Sequence, residues 1–285
     1  NMFCSEKKLK NTIKLIQPIF VNDTHQSYDS GLGEHNQNYC VTDAVQRIRT
    51  DISLGQQNFL LFVTTKNKSD QPNWQSHQHI AQQIKTTFGD QIYLIADVCL
   101  CGVRTDGHCC VPDDAVLTQK HLGELAQAYL TAGVDCVAPS DMQPFTVATI
   151  KSITDRPVMS YSTKFRSALY APFRLAVDST PNTERWYQLD VRDRDAAVKS
   201  SINYSSQGAD FLMVKPGMSS IDLIKPIMDA TGKPVGVYQT SGEWVAIQSS
   251  TVKDKLLQES MWVFIRAGAD FMISYGARLL QKSLK

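Results

Sequence analysis

Short apolar runs alternate with helical patterns eight times along 285 residues, and this alternation limits what the chain can fold into more than any other feature. The runs lie at 15–20, 59–65, 92–99, 134–139, 157–161, 210–215, 234–240 and 270–275. From the fourth onward they are almost continuously apolar, as parallel strands covered on both faces are. Between them the period changes. Over 121–132, Leu122, Leu125, Ala126, Tyr129 and Leu130 fall at i, i+3, i+4, i+7 and i+8 and form one apolar stripe. Three helix ends feed strands alike: 132–135 reads Ala-Gly-Val-Asp, 207–210 Gln-Gly-Ala-Asp and 267–270 Ala-Gly-Ala-Asp. Each has Gly where a helix C-terminus needs a left-handed residue. The pattern predicts an α/β fold, a TIM (β/α)8 barrel forming a single domain over 1–285 with a short N-terminal arm at 1–13. A doubly wound open sheet would need a glycine-rich phosphate fingerprint after an early strand, and none is present.

In such a barrel the chemistry sits at the C-terminal ends of the strands. Asp97, Cys99, Cys101, Ser140, Asp141, Ser160, Ser162, Lys164, Lys215, Tyr238, Ser241 and Tyr275 all fall there, so they should converge in one mouth. Four of the seven cysteines lie within 99–110, interleaved with Gly, His and Asp, which is not core composition. Cys99 and Cys101, two apart on a strand end, would share a face. A loop returns Cys109 to them, with His108 and Cys110 within reach as substitutes. Three thiolates with one open position make a zinc site capable of chemistry. The plainer reading is a group of buried thiols. Cys4, Cys40 and Cys136 lack ligand spacing. His77 and His79 read as the start of a surface helix, after a solvated loop over 66–78.

Lys215 closes an apolar strand, where burial lowers an amine's pKa and frees it for Schiff-base chemistry. Lys164 ends the neighbouring strand, and mutual repulsion should lower both further. One such lysine suggests a class I aldolase; two suggest that two carbonyl substrates are held together. Lys and Arg (29) nearly balance Asp and Glu (28), giving a net charge of +1, so nothing points to nucleic acid or an anionic membrane. No apolar stretch reaches bilayer-spanning length, and the start lacks a secretory-signal core. An odd, clustered set of cysteines favours a reducing compartment, the cytoplasm.

Several motifs also resemble one family in order along nearly the whole chain. They are the opening 15–23, Asp97-Val-Cys-Leu-Cys101 with Gly107-His-Cys109, Val137-Ala-Pro-Ser-Asp-Met142, Val158-Met-Ser-Tyr-Ser-Thr-Lys-Phe165, Tyr170-Ala-Pro-Phe-Arg-Leu-Ala176, 208–217 and Val237-Tyr-Gln-Thr-Ser-Gly-Glu243. They are similar to the signatures of the zinc-dependent porphobilinogen synthases (5-aminolevulinate dehydratases). The resemblance implies a lyase that condenses two 5-aminolevulinates to porphobilinogen with loss of two waters, in heme and other tetrapyrrole biosynthesis. It implies Lys215 as the Schiff-base lysine of the first substrate and Lys164 as that of the second. Cys99, Cys101 and Cys109 match the Zn2+ ligands, and Mg2+ is a second ion the resemblance allows. Ser241 and Tyr275 match groups on the first substrate's carboxylate, Asp97 and Ser140 groups near its amine, and Arg174 a ligand of the second carboxylate. Tyr170, Phe173, Arg185, Gln188 and Tyr238 are further substrate-binding positions, and the partner implied beyond substrate is a second copy, in a homo-oligomer of at least two chains.

The departures gather on the second-substrate side. Glu184 stands where the family has an arginine, and Arg185 at the place of its neighbour. Either Arg185 serves the second carboxylate or that group is held more weakly. Gln-Pro-Phe-Thr at 143–146 replaces Met-Asp-Gly-Arg, Leu175 an acidic residue and Asp106 a histidine. The segment after Cys110 and the N-terminal arm are short, which argues for an assembly smaller than the family's octamer. Two other readings stand beside the first: a divergent relative joining a different second substrate, and a non-catalytic relative that binds aminolevulinate or metal.

Overall fold

The computed structural model describes residues 13–33, 35–181 and 183–284. Except for Ile13, the expected N-terminal arm lies outside the described residues, as does Cys4. Nine strands are formed: β1 Lys14–Asn22, β2 Asn38–Tyr39, β3 Asn58–Thr64, β4 Tyr93–Val98, β5 Cys136–Pro139, β6 Met159–Lys164, β7 Phe211–Lys215, β8 Val235–Tyr238 and β9 Phe271–Ile273. The two-residue β2 rides on the end of β1. The other eight run parallel in the order β5-β4-β3-β1-β9-β8-β7-β6. The two ends of that order meet through a parallel bridge between Val137 and Val158, so the sheet curls into a barrel. Among the described residues ten α-helices are formed, one or two after each strand of the barrel: α1 Val41–Ser53, α2 Gln75–Phe88, α3 Ala115–Thr131, α4 Thr146–Lys151, α5 Ala171–Ala176, α6 Arg194–Ser206, α7 Ile224–Thr231, α8 Ser241–Gln248, α9 Lys253–Ala267 and α10 Ala277–Leu280. This is the expected TIM barrel, with all eight expected strands in place.

The strands form where the apolar runs lie because both of their faces are covered. Every residue of β1 after Lys14 is buried, as is all of β5 and β8. On α3 the residues Leu122, Leu125, Ala126 and Tyr129 of the apolar stripe are buried, and Leu130 packs partly buried against the same core. The three Gly-X-Asp junctions have one structural meaning. Gly133, Gly208 and Gly268 take φ of 90°, 100° and 97°, the left-handed conformation that ends each helix. The aspartate two residues on then reaches across to the preceding strand's start. Asp135 accepts from Leu94 N (2.7 Å), Asp210 from Val158 N (2.9 Å) and Asp270 from Val235 N (3.0 Å). Each carboxylate thereby occupies an edge donor that the ladder leaves open at the strand's N-terminal end.

Three expectations need correcting. The apolar run ends the fifth expected strand at Tyr161, but β6 continues through Ser162 and Thr163 to Lys164. Polar residues extend it because their hydroxyls are bonded internally: Thr163 donates to Ala197 O (3.1 Å) and Ser201 donates to Ser162 Oγ (2.8 Å). Cys99 and Cys101 do not lie on the strand, since β4 stops at Val98. His77 is not on a surface: its ring packs edge-on against Trp74 and Tyr129, and burial pulls its pKa down to about 4.

The aspartate clamps make a stability prediction. Asp210→Ala removes the acceptor of Val158 N and the partner of Lys151 (3.3 Å). The expected loss is about 1–3 kcal/mol in urea unfolding, with the chemistry at the opposite end of the barrel unchanged.

Candidate active site at the C-terminal ends of the strands

The β6–β7 register sets Lys164 opposite Lys215, and both side chains are buried. Around Lys215 the sequence supplies aromatic rings. Its Nζ lies 4.1 Å from the centroid of Tyr238, 5.0 Å from Tyr170 and 5.3 Å from each of Tyr161 and Phe173. Burial first, and then the charge of Lys164, pull the Lys215 amine down to about 7. Lys164 behaves differently from expectation. Burial lowers its pKa, but the charges of Cys109, Cys99 and Cys101 outweigh that, and the net shift is upward. Its Nζ donates to the Ser140 carbonyl. Only one lysine of the pair is therefore a ready nucleophile near neutral pH.

Cys99, Cys101 and Cys109 bring their sulfurs within 4.8 Å of one another, with Cys99 and Cys101 3.3 Å apart. Donation from Cys101 and Cys99 holds the Cys109 thiol well below its ordinary pKa, against burial. Soft sulfur donors in a buried trio fit a zinc ion. Among the described residues, no other three His, Cys, Asp or Glu side chains come as close. His108 and Cys110 do not join. His108 faces Thr183 Oγ1 (2.8 Å) and Tyr187 OH (3.3 Å), while burial lifts Cys110 to about 12.

The remaining expected residues line the same mouth. Asp97 is raised to about 6 by burial, which the two ammonium groups and the Ser140 hydroxyl only partly offset. Tyr170 donates to Lys215 O (3.0 Å), and Tyr238 OH lies 3.4 Å from Tyr275 OH. Ser241 accepts from Phe173 N (2.9 Å) and donates to Leu169 O (3.2 Å). Arg174 stands over the Tyr170 ring at 5.8 Å; burial and then the neighbouring Arg185 lower its pKa. Arg185 is buried and donates to Gly107 O (2.7 Å) and Ser179 O (2.8 Å). Glu184 points away, paired with Arg166 at 2.6 Å. Gln188 precedes Leu189, whose N–H bonds Lys164 O (3.1 Å). Buried polar atoms are normally hydrogen-bonded. Here Arg174 Nε, Arg185 Nε and both polar atoms of the Gln188 amide are buried without a protein partner. A polar ligand would satisfy them.

Three residues of the site were not singled out by the sequence reading. Tyr161 lies beside both lysines, its ring centroid 5.6 Å from Lys164 Nζ. Three residues apart on a regular strand they would face opposite ways. A bulge puts Ser160 and Thr163 opposite Leu212 and Val214 and so returns Lys164 to the side of Tyr161. Tyr187 accepts from Cys109 N (2.8 Å) and seals the thiols. Glu243 carries a capping box at the start of α8, legible as Thr240-x-x-Glu243.

The family model of delta-aminolevulinic acid dehydratase matches residues 2–283. The delta-aminolevulinic acid dehydratase of Halalkalibacterium halodurans is 34% identical over 93% of this chain and 87% of its own length. That of Helicobacter pylori is 35% identical over 81% of this chain and 80% of its own. The crystal structure of the Toxoplasma gondii enzyme, a porphobilinogen synthase in complex with the reaction product porphobilinogen, aligns with a TM-score of 0.90 at 29% identity, covering 96% of this chain and 86% of that one. A dihydropteroate synthase from Stenotrophomonas maltophilia, at 9% identity and a TM-score of 0.61, shares the fold alone. With its paired lysines and three thiols at the mouth of the barrel, this chain belongs to the delta-aminolevulinic acid dehydratase family.

Proposed function

We propose that this chain performs the reaction of its family, joining two 5-aminolevulinates into porphobilinogen with release of two waters and so feeding tetrapyrrole synthesis. The observation that carries this reading is the lysine pair at one register position, one amine near pKa 7 and the other held protonated. The neutral Lys215 amine attacks the ketone carbon of the first substrate; the ketone oxygen takes a proton, relayed by Asp97 from the substrate's ammonium group, and leaves as water, and a cationic iminium remains, facing the electron-rich rings of Tyr238, Tyr170, Tyr161 and Phe173. Ser241 and Tyr275 hold that substrate's carboxylate. Asp97, poised at about 6, takes a proton from its ammonium group with Ser140 alongside. Lys164 passes its proton to the oxygen of the second ketone, its freed amine adds to that carbon and the oxygen leaves as water to give a second iminium, while Arg174, Arg185 and Gln188 hold the second carboxylate. Positioning both ketones in one pocket turns a bimolecular union into a local one.

Cys99, Cys101 and Cys109 are proposed to hold zinc, which when bound supplies a Lewis acid for a substrate oxygen. The chain is proposed to act as a homo-oligomer, a dimer being the smallest unit, and in the cytoplasm. No helix among the described residues is long and apolar enough to cross a membrane.

Borohydride added with aminolevulinate should leave one reduced adduct, on Lys215, readable by peptide mass spectrometry. Lys164→Met should keep that adduct yet form no pyrrole; an adduct on Lys164 alone would reverse the two sites.

The pH dependence has a fixed sign. Below about 7 the Lys215 amine is protonated and has no lone pair, so adduct formation should rise through that pH. Because the Lys164 charge helps depress that value, Lys164→Met should move the midpoint to higher pH. An unmoved midpoint would mean that the two amines do not interact.

Metal analysis should find about one zinc per chain in the wild type and little in Cys101→Ala. Equal zinc in both would remove the thiols from the metal's ligand set.

A further inference from the structure

The first substrate, on the reading above, is gripped at two points: its ketone by Lys215 at the end of β7, and its carboxylate by Ser241 at the start of α8. These points lie on separate segments of chain. Their separation must suit one small molecule, so something has to fix it.

We propose that Glu243 is the positioning residue that sets this separation. Its carboxylate accepts four hydrogen bonds from two segments. Oε2 accepts from Thr240 N (2.6 Å) and Thr240 Oγ1 (2.7 Å), the capping box at the first turn of α8. A capping-box glutamate ordinarily serves only its own helix. This one also takes Met218 N (2.6 Å) on Oε1 and Gly217 N (3.3 Å) on Oε2, from the turn that follows Lys215. The side chain is nine-tenths buried, so water does not readily replace it as the acceptor. The turn has little freedom otherwise: a Cβ on Gly217 would stand 3.1 Å from Tyr238 O, so the turn lies flush on the end of β8.

Both segments also rest on one stretch of chain, 169–173. Lys215 O accepts from Tyr170 OH and from Phe165 N, both at 3.0 Å. Ser241 Oγ is held by Phe173 N and Leu169 O. Glu243 is the side chain that bonds the turn after Lys215 and the start of α8 at once. An ionised carboxylate bonded to several backbone N–H groups makes stronger bonds than a neutral amide does. Glu243 touches neither substrate nor reacting atoms, and acts through Lys215 and Ser241. The inference rests on the assignment of these two residues to one substrate.

The test compares two ketones in borohydride trapping on Lys215. One is 4-oxopentanoate, which has both a ketone and a carboxylate at the substrate's spacing. The other is 2-butanone, which has the ketone alone. In wild type the oxo acid should be trapped faster. In Glu243→Gln and in Glu243→Asp, which keeps the charge but shortens the reach, that advantage should fall by about ten-fold or more. The 2-butanone rate should stay near wild type, which also shows the variant's pocket to be folded. In a Ser241→Ala background, Glu243→Gln should cost no further advantage. Equal losses for both ketones would make Glu243 merely structural and overturn the proposal, as would an unchanged advantage in a variant that folds. If wild type itself is labelled by neither ketone on Lys215, the assignment of the lysine has failed rather than the role of Glu243.

Discussion

Two amines facing each other across adjacent strands cannot both stay protonated in a buried pocket, and the rest of the mouth is arranged around that conflict. The pocket resolves it by dividing its walls. On the Lys164 side stand three thiols and the Ser140 carbonyl, which favour a cation. On the Lys215 side stand four aromatic rings, which exclude water and carry no formal charge. The same division that makes one lysine nucleophilic thus keeps the other charged.

Glu184 and Arg185 part in a simple way in this setting. Glu184 lies outside, against Arg166, and the buried guanidinium of the loop is that of Arg185, electrostatically coupled to Arg174. Arg185 also ties its loop to the thiol loop through Gly107 O. Gly107 takes φ 68°, and a Cβ there would meet Thr180 O at 2.8 Å, so only glycine allows the two loops to lie this close. The bond between His108 and Thr183 and that from Cys109 N to Tyr187 OH join the two loops at two further points.

The barrel was legible because its strands are buried on both faces and so write themselves as apolar runs, and because left-handed glycines mark three of the helix ends. The lysines and thiols were legible because reactive side chains closing apolar runs stand out. Two things were hidden for physical reasons. The end of β6 reads as a loop, since Ser162 and Thr163 are polar and their partners, Ala197 and Ser201, lie more than thirty residues away. The rise of Lys164's pKa depends on thiols contributed by another strand's loop, a through-space charge that spacing along the chain does not record. The bulge in β6 compounds this, because it changes which face Lys164 shares with Tyr161.

The aspartates at 135, 210 and 270 sit at the opposite rim from the chemistry, each holding an amide at the start of a neighbouring strand. They anchor β4, β6 and β8, the strands that lead to the thiol loop, to Lys164 and to Tyr238. Alignment of the strands is therefore secured at the end where no substrate comes. The loops at the other end are relieved of that duty. They can be shaped by the site's chemistry while the strand ends beneath them keep their alignment. A barrel built this way separates what must stay still from what is free to vary.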